Sequence, residues 1–167
     1  DETVRALLDD WNTIPWWAHD SLRANFFRPV TALTHMLDYA LWPNQVWLHH
    51  LHSILWAILA CFAVRKLYRV SSLPLTALAF AMLFFVVDEA HAMPTAWIAN
   101  RNIMVALYFG ALSIAHYIKW RLSEGSVFWC LLYLLVSLLS AEGGISAIGY
   151  MLAWSLVYEA SWRQRIL

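Results

Sequence analysis

Charge is scarce in this chain, and so is cysteine. Asp, Glu, Lys and Arg make up 13% of the 167 residues, against about 25% in ordinary soluble domains. The formal net charge is +0, which leaves no global field to attract nucleic acid, and no zinc-finger or basic-helix pattern is present; nucleic acid is excluded as a natural partner. The two cysteines, Cys61 and Cys130, lie inside apolar blocks. They show no metal-ligand spacing and give no argument for an oxidising compartment, so both are read as packing residues. Internal repeats, low-complexity tracts and a signal-peptide pattern are also lacking.

What the chain has in excess is apolar surface. Hydrophobic residues reach 62%, well above the soluble average of about 45–50%, and they are gathered into blocks that one soluble core could not absorb. Five membrane spans can be drawn, at residues 46–64, 73–87, 98–118, 127–141 and 145–160. The second and fourth are short against the ~20 residues of a straight crossing, so polar flanks or neighbouring helices must complete them. Arg65, Lys66 and Arg69 follow the first span, Lys119 and Arg121 the third, and Arg163 and Arg165 the fifth. Five crossings put all three clusters on one side, which the positive-inside rule makes cytoplasmic. The expected fold is therefore an all-α, polytopic transmembrane helix bundle at 47–167, preceded by an extracytoplasmic loop at 1–46.

That loop is too polar to span and too aromatic to be a linker. Val4, Leu7, Leu8 and Trp11 recur at helical spacing, and Leu33, Met36, Leu37, Ala40 and Leu41 do so again between Pro29 and Pro43; the reading is two amphipathic helices lying on the outer leaflet. Trp11, Trp16, Trp17, Trp42, Trp47 and Trp97 fall where an interfacial aromatic belt would lie. The first residue, Asp1, must already be outside without a visible leader, so an upstream membrane helix and further downstream segments are expected.

Two acidic doublets, Asp1 with Glu2 and Asp88 with Glu89, sit at the outer ends of apolar segments. Carboxylates beside hydrocarbon are costly and become functional candidates for that reason. Each has a duller reading: Asp88 and Glu89 can cap the helix that begins nearby, and Asp1 and Glu2 can be a solvated loop end, with Asp9 and Asp10 as a substitute pair. Glu142, beside Gly143 and Gly144, is a site or a structural partner at a close helix approach. His49 and His52 share a helix face, with His35 or His91 able to approach. Metal or haem ligation needs more convergence than that, so hydrogen bonding at the interface is the default for His49, His50 and His52, and no clear ligand set for a divalent metal emerges.

Three motifs stand in order. Phe26 to Trp42 reads Phe-Phe-Arg-Pro-Val-Thr-Ala-Leu-Thr-His-Met-Leu-Asp-Tyr-Ala-Leu-Trp and leads into Leu48-His49-His50-Leu51-His52. Asp88-Glu89-Ala90-His91 runs on to Trp97-Ile98-Ala99-Asn100-Arg101-Asn102, and Leu138 to Ile145 reads Leu-Leu-Ser-Ala-Glu-Gly-Gly-Ile. Together they resemble the N-terminal part of the GT-C class of polytopic glycosyltransferases, in particular the branch of protein O-mannosyltransferases with their bacterial and TPR-bearing relatives. Ala141 stands where that branch has Lys in a Ser-Lys-Glu-x-Gly turn, and the later loop that contacts the carrier phosphate is absent.

The resemblance implies transfer of a sugar from a polyprenyl-phosphate carrier to an acceptor on the non-cytoplasmic face. It maps an essential acidic residue of the first outer loop onto Asp1 or Glu2 and a second acidic site onto Asp88 and Glu89. Such chemistry needs a carboxylate base within reach of the acceptor hydroxyl and cationic donors for the phosphate; Arg28 and Arg101 are the candidates, with His91, Asn100 and Glu142 as further substrate contacts. Cofactors are undetermined, and membrane lipid, the lipid-linked donor, an unidentified acceptor and further helices or subunits are the expected partners. Two other readings are a noncatalytic assembly protein or degenerate homologue of the same fold, and a membrane electron carrier using paired histidines.

Overall fold

A computed structural model describes residues 27–158. Among them the chain is all-helical: α1 (Pro29–Leu41), α2 (Val46–Val70), α3 (Leu75–Val87), α4 (Ala92–Ala96), α5 (Arg101–Arg121), α6 (Val127–Leu138) and α7 (Ser146–Tyr158). Tight 3₁₀ turns at Glu89–His91, Ile98–Asn100 and Glu142–Ile145 join them. Local sequence accounts for the ends. Pro29 opens α1, where its missing N–H costs nothing, and the Ser126 side chain accepts from the Phe128 N–H to start α6. The two long helices α2 and α5 both stop at a serine in the left-handed region, Ser72 with φ 58° and Ser123 with φ 63°. Each places basic residues in the last turn, Arg69 in one and Lys119 with Arg121 in the other, where the helix dipole favours them.

Among the described residues two helices are long and apolar enough to cross a membrane, Val46–Val70 and Ile98–Arg121, and the pair Leu75–Val87 and Glu89–Ala96, bent by 50°, can count as a third. These two to three do not confirm the expected five. α6 has 12 residues and the described part of α7 has 13, about 18–20 Å of helix against a hydrocarbon layer of ~30 Å. Within the expected span 127–141 the helix ends at Leu138, where the chain turns through Ser140 and Ala141 into the Glu142–Ile145 turn.

α5 is the central helix. It runs parallel to α2, with Ser53 beside Arg101 and Lys66 beside His116, and antiparallel to α6, with Ser137 bonded to Ala106 and Ser113 to Cys130. It runs parallel to α7, where Gly110 faces Ala147 and Tyr117 meets Trp154. Small residues let these backbones approach: Ala60, Ala63, Ala111, Ala115 and Ala147 are all buried. The Ser113 and Ser137 hydroxyls each donate to a carbonyl of the neighbouring helix at 2.8 Å, and such bonds between helices in lipid contribute roughly 0.6 kcal/mol each. Cys130 lies in this core and Cys61 is half-buried, both as free thiols, in keeping with a packing role.

The outward surface is apolar. Leu83, Phe84, Leu131, Leu135 and Leu152 are all exposed, which suits lipid contact better than water. α1 shares this inversion. Its apolar series, Leu33, Met36, Leu37 and Leu41, is 50–65% exposed, while Thr31 and Asp38 on the opposite side are buried against the bundle. Thr31 Oγ1 donates to Ser140 O at 2.9 Å and the Val30 N–H to Leu139 O at 3.2 Å, fixing the start of α1 to the end of α6.

Of the two glycines expected at a close approach, only Gly144 makes one. A Cβ on Gly144 would lie 2.7 Å from the Ser137 backbone, whereas one on Gly143 would meet nothing within 4 Å. Gly144→Ala is expected to destabilise the protein by about 1–3 kcal/mol, the usual cost of overpacking, with Gly143→Ala much milder. Detergent-micelle unfolding of the two variants checks this, and equal effects would contradict it.

Candidate functional site

A fully buried pair of opposite charges joins three helices at one end of the bundle. Asp38 from α1 and Arg101 from the first turn of α5 are both 0% exposed, with Arg101 Nη2 2.6 Å from Asp38 Oδ2. Arg101 Nε donates to Ser53 Oγ at 2.9 Å and Nη2 to His49 O at 2.8 Å, both on α2. His52 supplies the second contact to the carboxylate, Nδ1 to Asp38 Oδ1 at 2.5 Å. The Trp56 indole N–H points at His52 Nε2, 3.0 Å away. An indole N–H can only donate, so Nε2 accepts and the ring proton sits on Nδ1, aimed at Asp38. Burial pushes the Asp38 carboxyl up, but the bonds from His52 and Arg101 outweigh it and hold the group below the usual carboxylate range.

This geometry changes the role expected of Arg101. Its guanidinium is enclosed and already neutralised, so it locks α1 onto α2 and α5 and does not present a fork to a phosphate. Both ring nitrogens of His52 are engaged, and His49 Nε2 donates to Trp42 O at 3.0 Å. Among the described residues no three His, Cys, Asp or Glu side chains gather around a metal position. His49 and His52 hold α2 to the preceding chain, through Trp42 O and Asp38.

Beside this lock lies a groove of about 970 Å³ that follows α5 from Asn102 to Ile118, with α2 on one side and α7 on the other. Its length is about 24 Å. Leu67, Ala106, Gly110, Ile114 and Trp154 give it apolar walls, and Arg28, Asn100, Asn102 and Glu142 a polar mouth. At the mouth Arg28 forks onto Glu142, Nη2 to Oε2 at 2.6 Å and Nε to the two oxygens at 2.9 and 3.1 Å. The bonds from Arg28 draw the Glu142 carboxyl below its ordinary range. Oriented to suit its neighbours, Asn102 accepts from Arg28 Nη1 at 3.2 Å and donates to Asn100 O. Arg28, Asn100 and Glu142, three of the sequence candidates, are thus brought together.

The second acidic doublet has a different setting. Asp88 and Glu89 are exposed, and Asp88 Oδ1 accepts from the Ala90 N–H at 3.0 Å, the capping role foreseen as the duller reading. His91 turns back, its ring 4.4 Å from Phe85 and its Nδ1 3.3 Å from Asp88 O. The short helix α4 then packs on α2 and α5 and delivers the chain to Arg101. Asp1 and Glu2 lie outside the described residues, as do Asp9 and Asp10.

Sequence reasoning missed Asp38, His52 and Ser53 as a unit. A signal was present: Thr31, Thr34 and Asp38 repeat at helical spacing on one side of α1, opposite the apolar series. Arg101 is a charge at the head of an apolar span, which demands a partner.

No family model matches the chain, and neither the curated proteins nor the solved structures include a significant match to it.

Proposed function

We propose that the chain forms part of a membrane glycosyltransferase that moves a sugar from a polyprenyl-phosphate-linked donor to an acceptor on the non-cytoplasmic face. The observation that carries the reading is the groove: apolar along about 24 Å and polar at one mouth, it suits an amphiphile with a long hydrocarbon tail and a charged head. At that mouth Arg28 is the cation able to exchange Glu142 for a phosphate, because an arginine fork matches both anions. The carboxylates of the two doublets are the proton acceptors of the proposal, since an acceptor hydroxyl must lose its proton as it attacks the anomeric carbon. The motifs of the sequence support the same class.

A noncatalytic membrane assembly role is the second reading, and two observations favour it. Arg101 is consumed in a buried ion pair, and Asp88 is occupied as a cap. Membranes carrying the full protein, supplied with a radiolabelled polyprenyl-phosphate sugar and a mixed pool of protein and glycan acceptors, separate the two. Transfer above that of membranes lacking the protein supports the enzyme; its absence with every donor supports the assembly role.

A further inference from the structure

At the opposite end of the bundle from the Asp38–Arg101 pair, two lysines flank one histidine. Lys66 on α2 donates from Nζ to His116 Nε2 on α5 at 3.1 Å. Lys119 follows His116 by three residues, on the same face of α5. Among the described residues neither lysine has a carboxylate partner. Lys66 is half-buried and turned between two helices, unlike its exposed neighbours Arg65 and Arg69. Like charges placed together at a sheltered position destabilise the protein unless an anion joins them.

Depth identifies the anion. From the start of α2 at Val46 to Lys66 is about 30 Å of helix, and from Arg101 to Lys119 on α5 about 27 Å, close to the ~30 Å hydrocarbon thickness. Both ammonium groups therefore lie where the phosphates of one leaflet lie. The His116 ring is 5.3 Å from Tyr133, which stacks on Trp129 at 6.0 Å, so the site is flanked by an aromatic wall on α6 along which an acyl chain can rest.

We propose that Lys66, His116 and Lys119 form a binding site for the phosphate of an anionic phospholipid in that leaflet, clamping α2 to α5. The site is independent of any sugar transfer at the other end. Lipid binding to the full protein in micelles, measured by native mass spectrometry with phosphatidylglycerol and phosphatidylcholine of matched acyl chains, tests it. Phosphatidylglycerol binds preferentially in the native protein. The preference falls about fivefold for Lys66→Gln or Lys119→Gln alone and about thirtyfold for both, from the usual contribution of one basic residue near an anionic surface. Arg69→Gln, an exposed charge at the same end, leaves it nearly unchanged. Equal affinity of the native protein for the two lipids overturns the proposal without recourse to any variant. So does an equal loss with Arg69→Gln, which would mean diffuse charge attraction, and so does full displacement of the lipid by millimolar inorganic phosphate, which would mean a free-anion site.

Discussion

Arg101→Met is expected to destabilise the protein by about 3–5 kcal/mol, the usual consequence of removing one partner from a buried ion pair. The reason is Asp38: it is 0% exposed, and without the guanidinium its carboxylate retains only the bond from His52. Arg101→Lys will not rescue it, because one ammonium cannot reach Ser53, the His49 carbonyl and Asp38 from the three directions the guanidinium uses. The double variant Asp38→Leu with Arg101→Met should recover much of the loss, since replacing both charges removes the uncompensated one. Denaturant unfolding in micelles of the two single variants and the double gives the coupling. Additive losses would mean the two residues do not act as a pair.

The largest effect is expected in catalysis. If the doublets supply the base, replacing their carboxylates by amides lowers sugar transfer by about 10²–10⁴-fold, the range for removing a general base. Asp88→Asn discriminates sharply, because asparagine caps as well as aspartate does and preserves the bond from the Ala90 N–H. A large loss there with normal insertion and unfolding is a loss of charge, not of the cap. Asp1→Asn and Glu2→Gln make the same comparison at the first doublet. Near-normal transfer in these three single variants, in Glu89→Gln and in the double variant of each doublet would remove the doublets from the mechanism and leave the assembly reading.

The helical class and the location of the apolar blocks were legible because the blocks together exceed what one soluble core of this size can bury. The number of crossings was not. The break between the fourth and fifth segments was legible at 141–145, yet the helix already ends at Leu138 and restarts at Ser146, through a turn that Gly144 permits by its closeness to Ser137, which leaves α6 only 12 residues long. Helix α1 was legible as amphipathic, and its apolar face does lie outward. Its polar face does not stand in water: Thr31 and Asp38 there are buried and hold the helix to the bundle. The spacing of Asp38 and Arg101, 63 positions apart, carries no local signal; they meet because α1 docks on α2 through His52 while α5 packs parallel to α2 through Ser53. Arg28, Asn100 and Glu142 were each named from motifs, and their meeting at one groove mouth follows from α1 docking onto the end of α6.

The proposed function requires an acid-bearing end of the bundle outside and a lysine-bearing end inside. Single cysteines placed at Asp88, Glu142, Arg65 and Lys119 in a Cys61→Ala, Cys130→Ala background, treated with a membrane-impermeant maleimide on intact and opened cells, measure that directly. Positions 88 and 142 should react in intact cells, and 65 and 119 only after opening. Reaction at position 88 only in opened cells would contradict the account.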